Sequence, residues 1–205
     1  MKILKNKLIG AVVAIAALCL FPTSSAFAAT PLFGYKYQNG VGSINAWINY
    51  GSGVGYWQTY INGATNNWMY TGWANPVYIN YVSSNYGSNL DFHQNDNAYF
   101  MSPPGTVTLA WTRFFNGSGI EIYPWNANWY YAEVHINNDA YRDPGFSNSQ
   151  AQGTTTHEVG HALGLAHYNT NPYSIMCQTY PGPGVPGRAV QTVQKVDNDA
   201  INSLY

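Results

Sequence analysis

The chain has 205 residues, room for one domain of ordinary size, with eight basic residues, nine acidic ones and a formal net charge of −1. So sparse a basic content excludes a nucleic-acid partner, which needs a cationic footprint. The two cysteines, Cys19 and Cys177, exclude a disulfide framework, because the first lies in a segment expected to be removed.

That segment is the first predicted element. Lys2, Lys5 and Lys7 precede an apolar run from Leu8 to Phe21, and Ala26-Phe27-Ala28 offers a small-x-small cleavage site. The pattern predicts a secretory signal peptide over 1–28, and so an extracellular, secreted mature chain starting at Ala29. The apolar run falls short of the roughly 20 residues that span a bilayer, and no later stretch is apolar enough, so no stable membrane association is expected after cleavage. Losing three of the eight basic residues while all nine acids stay leaves a net charge of −4. Cys177 then has no internal partner, and stability must come from packing and bound metal.

In the mature chain, "SINAWINY" (43–50) alternates and predicts a strand. In 53–70, Val54, Trp57, Ile61, Ala64 and Trp68 recur at helical spacing with Gln58, Asn62, Asn66 and Asn67 between them, an amphipathic helix weakened by Gly63. "PVYINYVSS" (76–84) is strand-like in its β-branched and aromatic content. "NYGSNLDFHQNDN" (85–97) reads as loop. Strands are expected over 105–115, closed by the turn "NGSG", then over "IEIYPW" and over 129–137. A polar loop, "NDAYRDPGFSNS", precedes a helix capped by Ser147 or Asn148 that runs through "QAQGTTTHEVGHAL" and ends at Gly164. A loop-rich stretch with "PGPGVPG" leads to a terminal helix over 193–205, whose Val193, Val196, Ala200, Ile201 and Leu204 form one face. The order predicts an α+β domain occupying 29–205.

The chemistry is concentrated in "HEVGHALGLAH" (157–167). His157 and His161 stack on one helical face, where two imidazoles can grip one Zn²⁺. His167 lies six residues further, out of reach if the helix continues, but Gly164 allows a sharp turn that swings it back. Three neutral nitrogens leave a fourth position open, the mark of a catalytic zinc site rather than a structural one. Glu158 points about 100° around the helix from His157, where it can act as general base without binding the metal. The alternative, a buried helix with incidental histidines, leaves both the glycine and the third histidine at their spacing unexplained.

His157-Glu158-x-x-His161-x-x-Gly164-x-x-His167 resembles the zinc motif of the metzincin metallopeptidases, and "SIM" at 174–176 is similar to their Met-turn, in which Met176 would pack beneath the zinc without ligating it. Within that group the chain looks most like a bacterial-type matrixin, through "GLAH", the strand "AEVHIN" and the ending "DNDAINSLY". The resemblance is specific over 150–205 and loose, in element order only, over 43–137. It implies a metzincin-like catalytic domain with a mixed twisted sheet, an active-site helix, a Met-turn and a C-terminal helix. It also implies one catalytic Zn²⁺ per chain on His157, His161 and His167, Glu158 as the catalytic residue, a protein or peptide substrate lying extended along an edge strand, and a monomer.

The chain departs from that pattern at several positions. Tyr168 replaces a small hydroxyl residue, and no cysteine motif that could block the zinc lies between the expected signal peptide and the catalytic domain. Of the structural metal sites many matrixins carry, only His135 matches a ligand. His93, Asp91 and His135 are therefore expected to be satisfied or solvent-facing. Asp139 and Asp143 fit a solvated acidic loop better than Ca²⁺. Gln178 stands where some relatives have a tyrosine, Tyr180 is a poor substitute, and Cys177 reads as a buried small hydrophobe. Against the zinc endopeptidase stands one rival, a secreted aromatic-rich cell-wall or carbohydrate-binding module with a vestigial zinc site. An intact Glu158 has no use in such a module.

Overall fold

A computed structural model describes residues 29–205; the expected signal peptide, 1–28, lies outside the described residues. Alternation in "INAWI" makes β1 (Ile44–Ile48), whose Ile44, Ala46 and Ile48 are buried. A short 3-10 segment, Val54–Trp57, then runs into α1 (Gln58–Met69). There Ile61, Ala64 and Trp68 form the expected apolar stripe and are fully buried. β2 (Ile79–Tyr81), β3 (Leu90–Asn95), the single-turn α2 (Asn97–Phe100), β4 (Ala110–Phe115), β5 (Glu121–Ile122) and β6 (Tyr131–Asn137) follow. The chain closes with the single-turn α3 (Asn138–Tyr141), α4 (Asn148–Ala162) and α5 (Lys195–Leu204). The α+β expectation holds.

The six strands form one mixed sheet in the order β2-β1-β3-β6-β4-β5. β2, β1, β3 and β6 run parallel, and β4 and β5 are antiparallel to their neighbours. β3 corrects the loop expected over 85–97. Only Leu90 and Phe92 of its residues are apolar, and Asp91, His93, Gln94 and Asn95 mask the alternation, yet β3 is one of the two central strands of the sheet and pairs with both β1 and β6. The expected strands over 76–84 and 105–115 shorten to three and six residues.

α4 lies between the sheet and α1, touching β4, β6 and α1. The Trp68 indole donates to the Thr156 carbonyl at 2.8 Å and fixes the contact between the two helices. α4 has no apolar stripe, because it is covered on nearly every side. Thr155 and Thr156 bury their hydroxyls by bonding back to the Ala151 and Gln152 carbonyls, each at 2.9 Å. Ser147 is the cap. Its Oγ accepts from the Gln150 amide at 3.2 Å, and its own amide donates to Gln150 Oε1 at 2.9 Å.

One buried carboxylate fastens the C-terminal half together. Asp197, in the first turn of α5, accepts hydrogen bonds from the Thr30 hydroxyl at 2.7 Å, the Ser174 hydroxyl, the Ile175 amide at 3.0 Å and the Gln194 amide at 3.0 Å. Burial pushes its carboxyl above the ordinary value, and the four donors work against that rise. Asp197→Ala strands four polar donors, two of them backbone amides. We expect the substitution to cost at least about 2 kcal/mol, read as a lower denaturant midpoint at unchanged m-value.

Candidate metal centre

α4 presents His157 and His161 one turn apart, and the chain after it must reverse to return His167. Gly164 makes this possible at φ +112°, a backbone conformation L side chains rarely adopt. The first residues of the described chain lock the turn. Phe33 donates its amide to the Gly164 carbonyl at 3.1 Å, and Ala166 donates to the Pro31 carbonyl at 2.7 Å. His161 Nε2 and His167 Nε2 come within 3.2 Å, and one nitrogen from each of the three rings lies within 4.8 Å of the others. The structure thus brings together the three histidines singled out in the sequence.

Their ring orientations are set by backbone carbonyls. His157 Nδ1–H donates to Ile175 O at 2.8 Å and His161 Nδ1–H to Leu165 O at 2.7 Å, which leaves each Nε2 lone pair free. Burial holds His157 well below the usual imidazole range, helped by the neighbouring His161, Arg188 and His167. Burial also pulls His161 down to about 3 and lowers His167. All three are therefore unprotonated at neutral pH. Three converging neutral imidazoles are a donor set that fits Zn²⁺.

Glu158, the next residue on α4, is 6% exposed and points to the same cleft. The Thr112 hydroxyl on β4 donates to its Oε2 at 2.8 Å. Burial pushes the carboxyl up to about 7, with the Thr112 bond and the Arg188 charge pulling the other way. Beneath the histidines the chain makes the expected tight turn. Cys177 donates its amide to Ser174 O at 3.2 Å, and Met176 donates its amide to Ser174 Oγ at 3.0 Å. Met176 is fully buried against Gly160, where an added Cβ would meet its Sδ at 2.5 Å and the Trp68 ring at 2.8 Å. Its role is packing.

The site opens into a cleft of about 1300 Å³ that runs past β4 and β5. Tyr123 and Trp125, stacked at 5.3 Å, stand at one side, and 178–181 together with Arg188 at another. Arg188 is 8% exposed, and although burial pulls it down to about 10 it stays charged at neutral pH.

Other sequence candidates lie elsewhere. His135 and His93 occupy register-matched positions on β6 and β3, beside Glu133 and Asp91, and alternate with core residues such as Val134 and Phe92. They therefore face the side of the sheet opposite that core. His135 is satisfied by Asn95 at 2.8 Å and Glu133 at 2.9 Å. His93 Nδ1 accepts from the Asn49 side-chain amide at 3.1 Å, but its buried Nε2 has no hydrogen-bond partner. Asp139 and Asp143 accept backbone amides, of Asn97 and Gly145. Tyr180 lines the cleft and is half exposed. Cys177 is buried and free, its thiol pushed up by burial. Thr112 and Arg188 escaped sequence reading. Neither carries a spacing signal, and only the fold brings them to Glu158.

Comparison with known proteins agrees with this geometry. The family model described as Matrixin matches residues 72–205. Matrix metalloproteinase-21 of Cynops pyrrhogaster is 34% identical over 100 residues, which are 47% of this chain and 15% of that protein. The chain thus spans only a small part of that relative's length. Nothing in these matches supports the bacterial-type assignment.

Gly164→Ala tests the turn. The substituent would be strained at φ +112° and would meet the Leu204 side chain at 2.5 Å. We expect a loss of about 1–3 kcal/mol and weaker metal retention, measured as metal content after dialysis against a chelator, because His167 loses its return path.

Proposed function

The chain belongs to the matrixin family, and from that premise we propose that its residues 29–205 form a secreted zinc endopeptidase. The observation that carries the proposal is the convergence of three neutral imidazoles beside a buried carboxyl in an open cleft. His157, His161 and His167 would hold the ion, which when bound supplies Lewis acidity and lowers the pKa of water. Glu158 does the proton work. Thr112 fixes Oε2, leaving Oε1 to accept the proton of the attacking water and deliver it to the leaving amine nitrogen. A carboxyl poised near neutrality suits both halves of that transfer.

An extended peptide would add along the β4–β5 side of the cleft, in the manner of an extra strand. The side chain that follows the scissile bond would enter beside 178–181. Extracellular operation agrees with the leader at 1–28, and among the described residues no helix is long and apolar enough to cross a membrane.

Glu158→Gln is the direct test. The amide keeps the shape but cannot take a proton, so zinc content and folding should stay unchanged while peptide cleavage falls at least about 10²-fold. Parent-level cleavage with full zinc would show that Glu158 is not the base. Thr112→Val tests the positioning of that base. Removing a hydroxyl that favours the ionised carboxylate raises its pKa. The acid limb of kcat/KM should therefore move to higher pH, by about one unit if the bond contributes about 1.4 kcal/mol. An unmoved limb would mean that Thr112 does not tune Glu158.

A further inference from the structure

Arg188 is the one buried cation facing the cleft for which the proposed chemistry has no use. Its guanidinium is poorly satisfied. Nη1 lies 3.4 Å from Cys177 O, and Nη2 lies 3.3 Å from Thr154 Oγ1 and 3.3 Å from Gln191 Oε1. All three contacts are longer than an ordinary N–H···O bond, and all three acceptors are neutral. The buried Nε has no partner at all. Among the described residues, none of the ion pairs includes Arg188. Glu158 acts on this charge only through space, not as an ion pair, so a buried guanidinium on a cleft wall still offers a ligand's anion the closer place.

The surroundings are built to place the group there. Thr154 stands one turn before His157 on α4, so the guanidinium lies beside the candidate metal centre. Gly153 leaves the space: an added Cβ would fall 1.7 Å from Gln191 Oε1 and 3.0 Å from Arg188 Nη2. The backbone of Arg188 is tied to the wall of the cleft through its amide bond to Gln178 O at 2.9 Å, and the next residue, Ala189, donates to Pro172 O at 2.8 Å. The group is thus anchored by main chain on both sides, with its unpaired side chain on the cleft.

We infer that Arg188 is a specificity-determining residue that selects substrates with an acidic side chain, aspartate or glutamate, immediately after the scissile bond. The inference rests on the endopeptidase reading and deepens it. The carboxylate would approach the two Nη groups of the guanidinium fork with two oxygens and replace their long contacts to neutral acceptors with shorter, charge-assisted ones.

The test uses the mature zinc-loaded protein and four amide-capped peptides that differ only after the scissile bond, carrying Asp, Glu, Gln or Leu there. Capping leaves the side chain as the carboxylate on offer at that end. We expect kcat/KM for Asp or Glu to exceed that for Leu and for Gln at least 10-fold, mainly through KM. Arg188→Gln should reverse the ranking, whereas Arg188→Lys should keep an acidic preference. A wild-type ranking with Leu first, or with Gln equal to Glu, overturns the inference whether or not either variant folds. So does a ranking left unchanged in folded Arg188→Gln, which would make Arg188 a strut between 177–191 and α4. Cleavage of none of the four overturns the endopeptidase reading and this inference with it, whereas cleavage with Leu favoured overturns this inference alone.

Discussion

The Asp197 carboxylate is the constraint on which the candidate site depends. It takes the Ile175 amide, and the carbonyl of the same residue, in the next peptide unit, accepts the Nδ1–H of His157. The orientation of an imidazole in the metal centre is thus set from α5 through one residue of the Met-turn. The same carboxylate receives Thr30, so the start of the described chain is tied into that relay. The desolvation cost of a buried anion is offset by four donors, two of them backbone amides. An apolar residue at 197 would leave those donors bare, so the anion is tolerated because the turn needs it.

The second histidine is held by a parallel device. His161 donates to Leu165 O, and Leu165 donates its own amide back to Gly160 O at 3.0 Å, which closes the end of α4. The residue that orients the ring also terminates the helix, and Gly164 between them sets the path to His167. Leu32 bridges Leu165 from the outside. Helix termination, ring orientation and return of the third ligand are therefore one local structure. A metal site assembled this way needs few loops of its own, because each ligand sits on an element fixed for reasons of packing or backbone satisfaction.

This arrangement explains what was legible in the sequence. His157, His161, Gly164 and His167 are close in the chain, and their chemistry demands fixed spacings, so periodicity alone placed them. Ile61, Ala64 and Trp68 likewise wrote an apolar stripe that α1 buries. β3 was hidden because its outer face carries Asp91 and His93, matched in register by Glu133 and His135 on β6. A polar sheet face of this kind looks like loop in one dimension. α4 was recognisable by its motif and its cap, not by amphipathicity, since it is buried nearly all round. Thr112 and Arg188 reach Glu158 across 46 and 30 positions of chain, with no local rule to announce them.

Burial acts on the three histidines, Glu158 and Arg188 in one sense, towards the neutral form, and the consequences differ by residue type. For the three imidazoles neutrality is readiness, since only an unprotonated ring can donate its lone pair. For Glu158 the same push lifts the carboxyl to about 7, and only the Thr112 hydroxyl and the Arg188 charge pull it back. A dication held by the three rings would add to that pull, because its charge favours the ionised carboxylate. Arg188 alone withstands the trend. Its ordinary pKa is so high that even a fall to about 10 leaves it charged. One low-dielectric cleft thus sorts its groups by intrinsic acidity into neutral ligands, a carboxyl near its midpoint and a permanent cation. Among the described residues no ion pair includes that cation, so the wall of the cleft that carries it is where an anion would gain more than an apolar side chain.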